Sequence, residues 1–261
     1  MTRVLVPVEV LEGESVSQGL ISLLSPMDVT VLGYHVLPEQ TPADQARLQY
    51  EDQATDALED LEDAFRSAGG DADHRLVFTH DEEQTIDRVA AEVDARAIVL
   101  PGMTVAVDEL LVSLSGDVAV ERILAFVTDL VGDRDVDVTL FHAGKDASGA
   151  AERLESSAVD LRGHGISVRT ETTVDSPLAA LLGVVPAHDA VVMGEKAPSF
   201  RSLVFGDETD RVASASVGPV LVVRYDESLD GQLADRHDEQ LEAEHDEQLE
   251  AEHDESVDER S

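Results

Sequence analysis

Gly194 closes a short apolar run, AVVMG at 190–194, and the loop that follows carries Lys196, Ala197, Ser199, Arg201, Gly206 and Asp207. Small residues between a strand and a helix let backbone amides approach an anion, and a helix N-terminus adds positive dipole. Lys196 and Arg201, with Arg211 beyond, make a basic cluster in an otherwise acidic chain. These seven residues, Gly194 through Asp207, are the candidate ligand-binding loop. A plainer role competes with that one. The cations can pair with Glu195, Asp207 and Asp210, and surface pairs of this kind mostly only solvate the chain. Asp207 suits the N-cap of a helix over 208–216, and Ser199 suits a turn cap rather than a nucleophile.

Two histidines invite the same weighing. His35 and His142 end the related segments DVTVLGYHV and DVTLFH, where clefts form at the strand ends of doubly wound sheets. They could serve as acid–base groups. The plainer expectation is a partly buried ring bonded to backbone groups. The sequence holds no serine elbow, HExxH, Walker loop or GxGxxG, and no cysteine for a thiolate site. No catalytic residue and no metal ligand is assigned. His237, His245 and His253 each precede Asp-Glu, but on a solvated acidic segment such histidines usually just dissolve.

The elements that would position these residues alternate. RVLVPVE at 3–9 suits a strand buried on both faces of a parallel sheet. A short helix over 14–24, a strand over 28–36 and a long acidic helix from Ala43 to Ala68 follow. Leu48, Leu58, Leu61 and Phe65 are placed on that helix's buried side, and Gly69-Gly70 stop it. A strand at 74–79, a helix at 82–95 and a strand at 97–102 complete a first set. The second set runs through strands at 109–115, 137–142, 166–173 and 190–194, with helices at 118–131, 147–162 and 177–185. A last strand, Pro219–Arg224, has no counterpart in the first set. Alternation of this kind implies crossover units and a parallel sheet.

Composition describes the solvent. The chain has 56 Asp+Glu against 18 Lys+Arg, a formal charge of −38, and only Lys145 and Lys196 among its bases are lysine. Residues 226–261, with the near-repeat QLEAEHDE, account for 16 of the acids, yet the first 225 residues still carry −24. Self-repulsion of this size opposes a compact state in dilute buffer and is screened at molar salt. The reading is a halophilic cytoplasm. The acidity argues against nucleic acid and anionic membrane surfaces as partners. No apolar run approaches a bilayer span, and the N-terminus lacks a signal-peptide pattern, so a cytoplasmic location is expected.

Element order, together with the segment AVVMGEKAPSFRSLVFGDETDRVASASVGPVLVVR at 190–224, resembles the universal stress protein (UspA-like) family. The resemblance covers residues 1–225. It implies an α/β fold of two adenine-nucleotide-alpha-hydrolase-like, Rossmann-like parallel-sheet repeats. Residues 1–104 form the first, lacking its last helix and strand, and residues 105–225 the second. Residues 226–261 are read as a disordered acidic tail. ATP-binding members carry Gly, two residues, Gly, nine residues, Gly, then Ser or Thr. Here Gly194 matches the first glycine, Ala197 replaces the second, Gly206 comes one residue early and Asp207 replaces the hydroxyl. An acid ending the first strand often contacts the nucleoside in this family; Glu9 stands there in the first repeat and Ser115 in the second. The resemblance therefore implies a stress-type regulatory or binding protein, more a binder than an enzyme, without tight ATP binding and with no assigned cofactor. Two alternatives stay open: a regulatory partner of a membrane amino-acid transporter, and an enzyme that binds or hydrolyses ATP or AMP. Fifth strands in the family often pair across a two-fold axis, so a homodimer through Pro219–Arg224 is expected, unless the first repeat's sheet covers that edge.

Overall fold

A computed structural model describes residues 2–38, 40–145, 147–195 and 218–225. Residues 1–224 form one compact unit. Its strands are β1 (Arg3–Glu9), β2 (Asp28–Val36), β3 (Asp71–Thr79), β4 (Ala97–Leu100), β5 (Glu109–Ser113), β6 (Asp137–Ala143), β7 (Ser167–Thr173), β8 (Ala190–Gly194) and β9 (Val220–Val223). Its helices are α1 (Gln18–Leu23), α2 (Ala43–Ser67), α3 (Glu82–Glu92), α4 (Val120–Val131), α5 (Ala147–Gly163) and α6 (Pro177–Val184), with a 3₁₀ turn at Val185–Ala187.

All nine strands belong to one sheet, in the order β3-β2-β1-β4-β9-β8-β5-β6-β7. Every adjacent pair is parallel except β4 and β9. The first four strands run 3-2-1-4 and the next four 7-6-5-8, so both halves place their first strand between their second and fourth. The continuous apolar runs of β1, β5, β8 and β9 fall in the middle of the sheet, where both faces are covered. The polar strands β3 and β7, with Asp73, Arg75, Arg169 and Glu171, are the outer edges, where charge blunts pairing with other chains.

Two layers of helices cover the sheet. Buried residues of α1, α2, α4 and α5 pack on one face, including Leu20, Leu58, Phe126 and Leu154. α3 covers the other face over the first half, through Ile86, Val89 and Ala90. α6 does so over the second half, through Leu181. Local chemistry explains several ends. The Asp81 side chain accepts from the Gln84 N–H at 2.9 Å and caps α3. Pro177 opens α6. Gly132 takes a φ of +54° just past α4.

Two expectations need correction. Leu48 is not on the buried side of α2: it is 90 % exposed. The buried residues are Ala46, Ala54, Leu58 and Phe65. Two residues along a helix turn about 200°, which puts Leu48 opposite Ala46. α1 starts at Gln18 rather than 14, because Glu14 turns back to accept the Glu9 N–H at 2.7 Å.

The edge strand β9 follows the second of the two expected arrangements, in which the first half's sheet covers it within one chain. The strand expected to pair with its copy in a second chain has both edges taken within one chain. β8 lies on one side, with Met193 opposite Val222, and β4 on the other, with Ile98 opposite Val222. Without a fifth strand after β4, the first half has an open edge of its own, and the two open edges satisfy each other. Close backbone approach makes this fit. A Cβ on Gly102, after β4, would overlap the backbone of Gly218 and Pro219, which lead into β9.

Candidate functional site

The carboxyl ends of β1 and β2 bring Glu9, Glu12 and His35 together, with Tyr34 and Glu82 nearby. Parallel register sets Glu9 beside Tyr34, so His35 is the next residue along. Alternation along β2 turns Tyr34 toward α3 and His35 toward α2. The Tyr34 hydroxyl donates to Glu82 Oε1 at 2.8 Å. Burial, and then the Glu82 charge, push the phenol pKa up, so it stays a donor. The His35 ring packs near Tyr50, with centroids 6.2 Å apart, and near Phe78, at 6.3 Å in an edge-on arrangement.

Glu9, Glu12 and His35 each bring one ligand-type atom to within 4.8 Å of the others. The Glu9 carboxyl is held above its ordinary range. Burial is the largest cause, Glu12 the next, then Glu82; His35 acts in the opposite sense and Glu14 adds to the rise. His35 Nδ1 is buried and makes no hydrogen bond. The expectation that His35 would be satisfied by backbone groups is therefore wrong for that atom. His142 does meet it: its Nδ1 lies 3.0 Å from the Leu114 carbonyl oxygen. The difference follows from position. His142 sits over the chain as it leaves β5, while His35 lies beside the Glu9 and Glu12 carboxylates.

The chain itself occupies the crevice between β1 and β4, where doubly wound folds usually bind ligands. The segment after β4 crosses the start of α1. Gly19 N–H donates to the Thr104 carbonyl at 3.2 Å, and Ser17 Oγ donates to the Gly102 carbonyl at 2.8 Å. A Cβ on Gly19 would collide with the Thr104 side chain and backbone. Donors that would face an anion here face carbonyl oxygens instead.

The matching place in the second half lies at the end of β5. Ser113 and Ser115 are buried, and Ser115 Oγ accepts the Ala143 N–H at 2.9 Å. Gly194 ends β8 against Val118 and Ile123, and a Cβ there would sit 3.0 Å from Val118 Cγ1. The other candidate loop residues, Lys196, Ala197, Ser199, Arg201, Gly206 and Asp207, lie outside the described residues, as do the helix expected over 208–216 and the segment 226–261. The structure thus places Gly194 alone of the seven. Glu12 was not singled out in the sequence. Its signal is only its distance of three residues past a strand-ending acid, in a turn where the Glu12 N–H donates back to the Glu9 carbonyl at 3.2 Å.

Comparison with solved structures bears on the architecture. A universal stress protein from Archaeoglobus fulgidus DSM 4304 superposes with a TM-score of 0.61 at 16 % identity, over 87 % of this chain and 97 % of that one. This chain has the universal stress protein fold. A protein of unknown function from Pseudomonas aeruginosa PAO1 is more distant, with a TM-score of 0.49 at 12 % identity over 90 % and 97 % of the two chains. No protein-family model and no curated protein matches the sequence. Among the described residues, no helix is long and apolar enough to cross a membrane.

Proposed function

We propose that the chain is a universal-stress-type binding and regulatory protein, built from two fused copies of one α/β unit, and that it works in a high-salt cytoplasm without tight ATP binding. The fold likeness supports the class. The shared strand order of the two halves supports duplication, with the first copy ending at β4. The observation that carries the nucleotide reading is the closed crevice of the first half. The start of α1 is spent on the chain's own carbonyls, and Glu9, Glu12 and Glu14 stand where an anionic ligand would approach. Carboxylates meeting a triphosphate at a partly dry site repel it. In the second half, Asp207 in place of a hydroxyl works in the same direction.

Calorimetry in molar KCl with Mg²⁺ tests this reading. The expected ATP dissociation constant is no tighter than about 1 mM, or about 4 kcal/mol. Micromolar affinity overturns it. Partnership with a membrane transporter is the second reading; it rests on the 190–224 segment resemblance alone and would be tested by co-purification.

A further inference from the structure

We propose that Glu9, Glu12 and His35 form a site for one divalent transition-metal ion of the Zn²⁺ or Mn²⁺ kind. The three side chains come from a strand end, the following turn and a neighbouring strand, and their ligand-type atoms lie within 4.8 Å of one another. Metal–ligand bonds of about 2.0–2.2 Å bring such atoms to about 3 Å. Glu12 is exposed on a turn, so its side chain can swing inward to close that gap. Two carboxylates also bring the negative charge that a dication neutralises.

The histidine supplies an observation that does not depend on the acids. Its Nδ1 is buried with no hydrogen-bond partner, although buried polar atoms nearly always have one. Tyr50 and Phe78 both pack near the ring, and such contacts restrict its motion. A mixed imidazole and carboxylate set selects against Mg²⁺ and Ca²⁺, which favour oxygen alone, and toward first-row transition metals. Three protein ligands leave the remaining positions to water or to a small anion. The site takes none of its three ligands from the glycine segment after β8 and stands whether or not the chain binds nucleotide.

The test is Zn²⁺ titration by calorimetry in molar KCl, using the full chain with His237→Gln, His245→Gln and His253→Gln so that these histidines do not compete. One ion per chain is expected. Glu12→Gln and His35→Gln should each weaken binding by at least about tenfold, since even groups that only orient ligands are worth that much. Mg²⁺ should bind at least about tenfold more weakly than Zn²⁺. Glu12 lies on an exposed turn, so its variant keeps the fold, and circular dichroism checks that it does. Retained affinity in either folded variant, Mg²⁺ binding as tightly as Zn²⁺, or no binding up to millimolar Zn²⁺ overturns the proposal.

Discussion

Glu9 shows how one side chain can be held against its own charge. Strand pairing fixes it beside Tyr34, and the turn after β1 brings Glu12 and Glu14 back toward it. Its folded pKa is raised above the usual 4.5, first by burial and next by Glu12. A raised carboxyl pKa means the folded state holds that proton more tightly than the unfolded state. Its contribution therefore favours folding below 4.5 and is lost as pH rises through the folded value. Glu9→Gln mimics the protonated form. With a chelator present, the variant should melt above the parent at pH 7, and the gap should shrink as pH falls below 4.5. Melting curves at both pH values check this. An equal gap at both would mean that the charge of Glu9 is not what is relieved.

At the scale of elements, local pattern and long-range pairing part company. The ranges of β1, β2 and β8 follow directly from their apolar runs, and the start of α3 from its acidic first turn and inward Ile86, Val89 and Ala90, though it ends at Glu92, three residues early. β3 begins at Asp71, three residues earlier than its apolar stretch suggests, because an edge strand can carry Asp-Ala-Asp without burying it. Leu48 misleads because a lone leucine draws the eye from the Ala46–Ala54–Leu58 row that does the packing. Of the candidate site, Glu9 and His35 are legible as strand-end residues, but their meeting is not. That meeting depends on the register of two strands and on a turn. The pairing of β9 with β4 is legible only as one of two alternatives, since it joins residues more than a hundred positions apart. Its consequence is testable. Val222 is fully buried between Ile98 and Met193, so Val222→Lys should destabilise the chain by more than about 3 kcal/mol. Denaturant unfolding measures the loss. A variant that keeps its stability and only halves its mass in light scattering would move this strand to a contact between chains.

Over the whole molecule, charge is the dominant uncommon property, and its sign is uniform enough to act as a field rather than as pairs. The formal charge is −38, and the first 225 residues keep −24 of it. The ion pairs among the described residues are mostly exposed, such as Arg47–Glu51 and Arg88–Glu92, and pairs of that kind are worth little each. They cannot offset repulsion among so many acids. Screening can: the Debye length falls from about 10 Å at 0.1 M to about 3 Å at 1 M. The melting temperature should therefore climb steeply from 0.1 M to molar KCl. Sucrose, which favours compact states without screening charge, should not reproduce the climb at low salt. The location of the charge gives the sharper check. A chain ending at Tyr225 loses −14 but retains the compact unit of residues 1–224. If the field of the folded unit drives the effect, the shortened chain keeps most of the salt dependence. If the dependence vanishes with residues 226–261, the acidic segment is its source, and the high-salt reading of the folded unit fails.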